Sequence, residues 1–265
     1  MRRTLRAMPT LFRVGLAESM AYRAELLIWV LTTTMPLVML PLWMAVAETG
    51  PVQGFTGEDF VAYFLATFCV RQVTSAWASW TINYEVKSGT LALRLMRPIH
   101  PFWAYAVENL AAIPLRLAVA GPFAIGALMI TSGDRITSDP AMLAIFVVAL
   151  IGAWAITFLA HVAVGTLSMW TQSSIKIMDV WTAGFFVLSG YLVPIALFPE
   201  AVRWLPDWLP FRYQLGFPVE VLTRGLAIDE ALSMLARQWA FVAGLGVLCV
   251  VLWKKGLARF QAYGG

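Results

Sequence analysis

Long runs of apolar residues, separated by short polar segments, dominate this chain from about residue 26 to its end. An α-helix rises about 1.5 Å per residue, so a run of about 20 apolar residues can cross the roughly 30 Å hydrocarbon core of a bilayer. The runs long enough to be spans cover residues 26–46, 60–82, 110–130, 141–170, 180–197 and 239–253. The pattern therefore predicts an all-α integral membrane protein with six transmembrane helices.

Residues 1–25 form a separate segment ahead of the first span. Its apolar residues recur at spacings of three and four, at Leu5, Met8, Phe12, Leu16 and Met20. Arg6 and Arg13 fall outside this series. The periodicity predicts an amphipathic helix that lies in the cytoplasmic membrane interface, ahead of a membrane domain over residues 26–265. The alternative interpretation is a basic tail that only sets the topology.

The composition also favours a membrane protein. Hydrophobic residues make up 60% of the chain and charged residues 13%, whereas a soluble domain is about one half apolar and one quarter charged. The net charge of +4 does not indicate a nucleic-acid partner, because the basic residues occur in short clusters between apolar runs. Cys69 and Cys249 lie inside apolar runs without metal-ligand spacing around them, so we expect no metal site.

The basic clusters also predict the orientation. With the N-terminus inside, the inner segments carry Arg2, Arg3, Arg6, Arg13, Arg23, Lys87, Arg94, Arg97, Lys176, Lys254, Lys255 and Arg259, and the outer segments carry Arg135, Arg203, Arg212, Arg224 and Arg237. Cytoplasmic loops of membrane proteins are enriched in Lys and Arg. This imbalance predicts that both termini are cytoplasmic.

The sequence predicts no catalytic residues and no cofactor on this chain. A phosphate-binding P-loop needs a glycine immediately before its lysine, and the chain contains no Gly-Lys pair. His100 and His161 are far apart in sequence and have no carboxylate or cysteine cluster beside them. We expect His161 to be a hydrogen-bonded packing residue within the fourth span.

The inner segment after the second span, residues 83–98, predicts a short helix of its own. Gly89 breaks the preceding span, and Ser88 or Thr90 can cap the new helix. Pro98 ends it, because proline cannot continue a helix.

One side of this short helix is apolar, formed by Leu91, Leu95 and Met96. Arg94 and Arg97 lie at its C-terminal end, where the helix dipole favours positive charge. We expect the apolar side to have nothing local to pack on. It either lies on the lipid surface or inserts into a soluble partner.

The second span carries a polar stripe, formed by Arg71, Thr74, Ser75, Ser79 and Asn83. A charged side chain in the bilayer centre costs about 3 kcal/mol or more, so Arg71 is not expected to face lipid. The stripe either lines a pathway or forms a helix or subunit interface.

Other residues in or near the spans are candidate members of the same surface. Arg116, Glu108 and Asp179 are possible partners of Arg71. Phe185 and Phe186 on the fifth span are also candidates, although aromatic residues in this context more often serve packing.

Here the chain resembles a known family. The motif Glu85-x-x-x-Gly89-Thr90-Leu91, the leucines up to Leu95 and the final Pro98 follow the second of six spans. This arrangement is similar to that of the type-2 ATP-binding-cassette exporter permeases. A segment rich in proline and tryptophan before the last span, residues 198–225, resembles a bacterial, drug-linked subgroup of these permeases, and it contains Trp204, Pro206, Trp208 and Pro210.

The resemblance implies an architecture and a set of partners. Two permease subunits, identical or different, would form the pathway in the bilayer of a bacterial inner membrane. Two ATPase chains, which bind ATP and Mg²⁺, would dock beneath them. Residues 88–97 would be the coupling helix that transmits motion from the ATPase, with Glu85, Gly89, Thr90, Leu91, Leu95 and Pro98 as the coupling residues. Residues 198–225 would be a re-entrant outer segment.

The residues leave two other functions as alternatives. An ion-coupled secondary transporter is expected to carry Asp or Glu deep within its spans, whereas the deep charges in this chain are arginines. A non-transporting scaffold or sensor subunit is also compatible with the sequence. An ATPase encoded beside the chain would favour the exporter.

Overall fold

The computed structural model describes residues 2–21, 28, 30–131, 133–171 and 173–260. These residues form helices joined by turns and short 3₁₀ segments. The helices are α1 (Arg2–Ala21), α2 (Met35–Ala47), α3 (Gly57–Thr74), α4 (Ala78–Ser88), α5 (Leu91–Leu95), α6 (Pro101–Ala111), α7 (Ile113–Thr131), α8 (Pro140–Thr166), α9 (Ser174–Leu188), α10 (Glu200–Arg203), α11 (Pro210–Gln214), α12 (Gly216–Thr223) and α13 (Ile228–Leu257).

Within the described residues, four helical stretches are long and apolar enough to cross a membrane. They are Val30–Ala47, Pro101–Ala127, Pro140–Met169 and Ile228–Leu257. They lie at the positions of the first, third, fourth and sixth predicted spans. The all-α membrane class is therefore confirmed, although the start of the first predicted span, at residues 26, 27 and 29, lies outside the described residues.

The second predicted span is divided in the structure. Helix α3 carries Glu58, Asp59 and Arg71 within its 18 residues, which makes it more polar than the other spans. It ends at Thr74, and α4 begins only at Ala78. Ser75 is extended, with ψ at 138°, so the chain is not helical between the two helices.

The third and fifth predicted spans also differ from the expected bounds. The third begins earlier, because α6 starts at Pro101 and passes into α7 through a single non-helical residue, Ala112. The fifth is α9, whose 15 residues are short for a span, and the chain then turns at Gly190 with φ at +87°. A side chain is rarely found at that φ, so glycine permits the turn.

Helix α8 lies at the centre of the packing, with α4, α11, α12 and α13 against it. Glycines allow close approach at two points. A Cβ on Gly152 would come 2.6 Å from Oε1 of Gln238 on α13, and one on Gly165 would come 3.0 Å from Cα of Ser79 on α4. Both positions need the smallest residue because the neighbouring helices leave no space.

The predicted N-terminal helix is confirmed over Arg2–Ala21, and residues 22–25 lie outside the described residues. This helix packs against α6 rather than standing alone. At the contact, a Cβ added to Gly15 would come 2.9 Å from Cβ of Ala111. The packing gives α1 a fixed position beside the membrane domain.

Candidate coupling helix, intramembrane arginines and outer segment

The short helix predicted after the second span is present as α5. Gly89 ends α4 in a left-handed conformation, with φ at +75°, which glycine adopts without a steric penalty. Thr90 occupies the N-cap position of α5 but makes no side-chain capping bond. Its hydroxyl instead bonds to the Ser88 hydroxyl at 2.8 Å. The predicted break is confirmed, whereas the predicted cap by Ser88 or Thr90 is wrong, since the Ser88 hydroxyl donates to the Tyr84 carbonyl.

Arg94 fixes α5 to two neighbouring helices. Its Nη2 lies 2.6 Å from Oε1 of Glu85 on α4, and its Nη1 lies 2.7 Å from Oε1 of Glu108 on α6. The Tyr105 hydroxyl donates to Oε2 of Glu85 at 2.5 Å, and the guanidinium stacks 4.3 Å from the Tyr105 ring. We call these four residues, Glu85, Arg94, Tyr105 and Glu108, the arginine clamp.

Electrostatics within the clamp favour the charged form of the Arg94 guanidinium. Burial acts to lower the pKa of Arg94, but hydrogen bonds to Glu85 and Glu108 outweigh it and raise the pKa above its ordinary value. The guanidinium is therefore charged at any physiological pH. A charged, bidentate contact of this kind holds the orientation of α5 as well as its position.

The apolar side of α5 is occupied by the protein itself. Leu91 is 0% exposed and belongs to a core cluster with Ile82 and Tyr105, and Leu95 packs against the same cluster. The expectation that this side has nothing local to pack on is wrong, because Leu91 and Leu95 belong to a core cluster that includes residues of α4, α6, α8 and α13. Leu93 on α5 is 59% exposed, and Met96, which directly follows the helix, is 74% exposed. These two side chains are therefore accessible to another protein.

The lower part of the polar stripe makes helix contacts within this chain. The Ser79 hydroxyl lies 2.9 Å from Nδ1 of His161 on α8, and the amide of Asn83 donates to Ser174 at 2.6 Å. Ser79, Asn83 and His161 are all buried. This part of the stripe is a helix interface, and His161 is a hydrogen-bonded packing residue, as predicted.

The upper part of the stripe surrounds the break between α3 and α4. The freed backbone groups find partners there: the Ser75 hydroxyl donates to the Arg71 carbonyl at 2.7 Å, and the Trp77 N–H donates to Oδ1 of Asn109 at 2.9 Å. Nη1 of Arg116 reaches the Ser75 carbonyl at 3.5 Å. Inside a membrane, non-helical backbone persists only where such partners exist.

Arg71 and Arg116 stack on aromatic rings in this region. The Arg71 guanidinium lies 4.8 Å from the centre of the Phe185 ring and close to Tyr191, and Arg116 lies 4.9 Å from the centre of the Trp77 ring. The two arginines are close enough to repel each other. Among the described side chains, the ion pairs are made by other arginines, at positions 94, 135 and 212.

The partners predicted for Arg71 are therefore wrong. Glu108 pairs with Arg94 in the clamp, Arg116 is a like charge, and Asp179 is exposed on α9. Of the two predicted phenylalanines, Phe185 is buried against Arg71, and Phe186 packs 5.1 Å from the Tyr191 ring. Tyr191 itself follows the end of α9, directly after the turn at Gly190.

The outer segment is built from short helices around Arg212. This residue forms ion pairs with Asp207 and, at 2.6 Å, with Glu220, whose carboxylate lies on α12 and is almost fully buried. Tyr213 closes the turn by donating to the Asp207 carbonyl at 3.1 Å. The paired charges let α11 and α12 lie against α8 without a buried, unpaired carboxylate.

The predicted tryptophans and prolines of this segment take different positions. Trp204 and Trp208 are exposed, whereas Pro206 is buried and Pro210 begins α11. The following Phe211 is pressed onto α9, where a Cβ on Gly184 would come 2.6 Å from its ring. The segment therefore packs tightly on one side and leaves two indole rings free on the other.

Comparison with known proteins shows which family the chain belongs to. The model of a family described as "ABC-2 family transporter protein" matches residues 30–264 of the 265-residue chain. Neither a comparison with curated proteins nor one with solved structures finds a match. Since the matched region covers all the candidate spans, the clamp and the outer segment, the chain is a multi-pass membrane permease that belongs to the ABC-2 transporter family.

Proposed function

We propose that this chain is the permease subunit of an ATP-driven exporter. In this proposal α5 is the coupling helix, and its exposed Leu93 and Met96 insert into a cleft of a separate ATPase chain. A second permease subunit, identical or different, completes the pathway. The single observation that carries the proposal is the arginine clamp, which joins an apolar, protruding contact rigidly to α4 and α6.

The clamp supports coupling for a mechanical reason. Motion of a docked ATPase reaches the spans only through an element that moves together with them. Helix α5 is five residues long and begins beside a glycine, so by itself it would turn independently of α4. Arg94 removes this freedom by binding Glu85 and Glu108 at once.

Six spans and two cytoplasmic termini are part of the proposal. Helices α3 and α4 together make the second span, and α9 with the turn that follows makes the fifth. The excess of Lys and Arg on α1, the α5 region and the end of α13 supports a cytoplasmic location for these parts. The outer segment then lies at the exit side, in the inner membrane of a bacterium.

Arg71 is proposed to face the pathway. It is half-buried in this chain, at the break of the second span, and it lies among the aromatic residues Phe185 and Tyr191. Discontinuous helices in transporters are found at substrate sites. Burying Arg71 in lipid would be costly, so water or another protein surface covers its exposed part.

Co-purification followed by an ATP hydrolysis assay tests the proposal. An affinity-tagged chain is purified from its native membranes, and the co-purifying proteins are identified by mass spectrometry. We expect a P-loop ATPase in the complex, ATP hydrolysis by the complex, and none by the isolated chain. A complex without an ATPase, or ATP hydrolysis by the contaminant-free chain alone, contradicts the proposed function.

A further inference from the structure

A groove outside the proposed pathway lies between α1, α6 and α8. Its cavity has a volume of about 490 Å³. Apolar side chains make its walls: Met8, Pro9, Phe12, Trp103, Ala106, Val107, Leu110 and Trp154. One charged residue, Arg13, lies at the groove, and its side chain is exposed.

We propose that this groove binds an anionic phospholipid of the cytoplasmic leaflet. One acyl chain occupies the apolar cavity, and the phosphate of the head group pairs with Arg13. The inference rests on the orientation proposed above, which places α1 on the cytoplasmic side. It goes beyond the transport function, because the groove is separate from α5 and from Arg71.

The lining of the groove suits an acyl chain. Its walls come from three helices, and α1 is fixed against α6 by the close contact of Gly15 with Ala111, so the space is built into the fold. Exposed Trp103 stands at the groove, and indole rings favour the level of lipid head groups. The walls of the groove are almost entirely apolar, which suits an acyl chain that removes this surface from water.

Charge favours an anionic head group over a neutral one. The sequence of α1 carries four arginines, at positions 2, 3, 6 and 13, before its first acidic residue, Glu18. Basic segments beside a cytoplasmic membrane surface attract acidic lipids. Arg13 combines this charge with a position at the groove, so it can select the lipid whose tail enters.

The test uses the purified full-length chain in neutral detergent without an ATPase. Binding of dioleoylphosphatidylglycerol and dioleoylphosphatidylcholine is measured by native mass spectrometry. We expect the anionic lipid to bind more tightly, and Arg13→Gln to weaken it about fivefold. The control Arg97→Gln removes an exposed arginine near α5, away from the groove, and is expected to leave binding unchanged.

A second measurement locates the site. Phosphatidylglycerol with a photoreactive acyl chain is expected to label peptides that contain Trp103–Leu110 or Met8–Phe12. Melting temperatures without added lipid show whether Arg13→Gln is folded. Equal affinity for both lipids, wild-type binding by folded Arg13→Gln, or labelling confined to other helices overturns the inference. Because no ATPase is present, such a failure leaves the proposed coupling function untouched.

Discussion

Arg94 donates hydrogen bonds to both carboxylate oxygens of Glu85, from Nε at 2.9 and 3.0 Å and from Nη2 at 2.6 Å. A guanidinium that meets a carboxylate in this forked way restricts rotation as well as distance. The pair bridges Gly89, the one position between α4 and α5 with a left-handed backbone. The consequence is a short helix whose orientation relative to α4 is fixed although a glycine separates the two helices.

Replacing Arg94 by Gln is expected to uncouple ATP hydrolysis from export. The change removes the forked contact that Glu85 makes with Arg94, and we expect the free energy of unfolding to fall by about 2 kcal/mol. The loss is moderate because Glu108 is partly exposed. ATP hydrolysis and export by the reconstituted complex are the measurements. Arg94→Lys keeps the charge but loses the forked contact, so an intermediate effect is expected.

Arg259→Gln is the matched control for this prediction, because Arg259 is an exposed arginine of the same predicted cytoplasmic side but follows α13, outside residues 88–97. We expect its export and melting temperature to match the wild type. If Arg94→Gln also exports at the wild-type rate, the clamp is a structural feature without a role in coupling.

The exposed side of α5 is expected to carry the ATPase contact. Changing Leu93 and Met96 together to Asp introduces two charges into the proposed apolar contact, and the ATPase is expected to detach while the permease stays folded. Co-purification of the ATPase and the melting temperature of the permease are measured together. Since both side chains are more than half exposed, the double change should not disturb the core.

Leu91 gives the contrasting variant on the same helix. Leu91→Ala removes a fully buried side chain and is expected to cost about 2–4 kcal/mol of stability. The ATPase should still bind at a temperature where the variant is folded. Loss of ATPase binding in folded Leu91→Ala, with wild-type binding in the double Asp variant, would reverse the assignment of the two sides.

Several features of the fold could be predicted from local patterns. The apolar runs predict the four long helical stretches, because length and hydropathy are properties of each run alone. Gly89 predicts the end of α4 for a similar reason, since the left-handed conformation depends on one residue. The apolar residues from Leu5 to Met20 recur at spacings of three and four, and this regular spacing predicts α1.

Other features depend on distant residues and could not be predicted in this way. The break at residues 75–77 contains neither glycine nor proline, and it is supported by Asn109 and Arg116 from other helices. Leu91 and Met96 are equally apolar, so the sequence does not distinguish the packed side of α5 from the free one. The sequence also offered Glu108 as a partner for Arg71, although α5 brings Arg94 closer to it.

The ion pairs of Arg212 are expected to hold the outer segment together. Arg212→Gln leaves Glu220 buried and unpaired, which should lower the free energy of unfolding by about 3 kcal/mol. Thermal unfolding in detergent is the measurement. Adding Glu220→Gln should recover part of the loss, because the second change removes the unpaired charge.

Arg203→Gln serves as the control for the outer segment. Arg203 is exposed and bonds to the Phe198 carbonyl, so its loss is expected to change the melting temperature little. A large effect of Arg203→Gln together with a small effect of Arg212→Gln would contradict the assigned roles.

Single cysteines are expected to report the orientation. In a chain whose Cys69 and Cys249 have been replaced by Ala, Trp208→Cys should react with a membrane-impermeant maleimide added to intact cells. Arg97→Cys should react only after the membrane is opened. Both positions are exposed, so access to the side of the membrane decides the result. The opposite labelling pattern means that the orientation and the position of α5 are wrong.

Arg71 and Arg116 are expected to differ in function although both are arginines in or near the spans. Arg116 reaches the Ser75 carbonyl and stacks on Trp77, so Arg116→Leu should lower the melting temperature. Arg71→Leu loses the stacking on Phe185 but also removes a cation that repels Arg116, so we expect the melting temperature to change little. Export should nevertheless fall several-fold, because the proposed pathway loses its charged residue.

Three measurements separate the interpretations of Arg71: the melting temperature, the amount of second permease subunit that co-purifies, and export. A pathway residue changes export alone. If Arg71→Leu instead releases the second subunit, Arg71 belongs to the subunit interface. If assembly and export both match the wild type, the like-charged pair at the break has no transport role, and the proposed location of the pathway beside α3 and α9 is wrong.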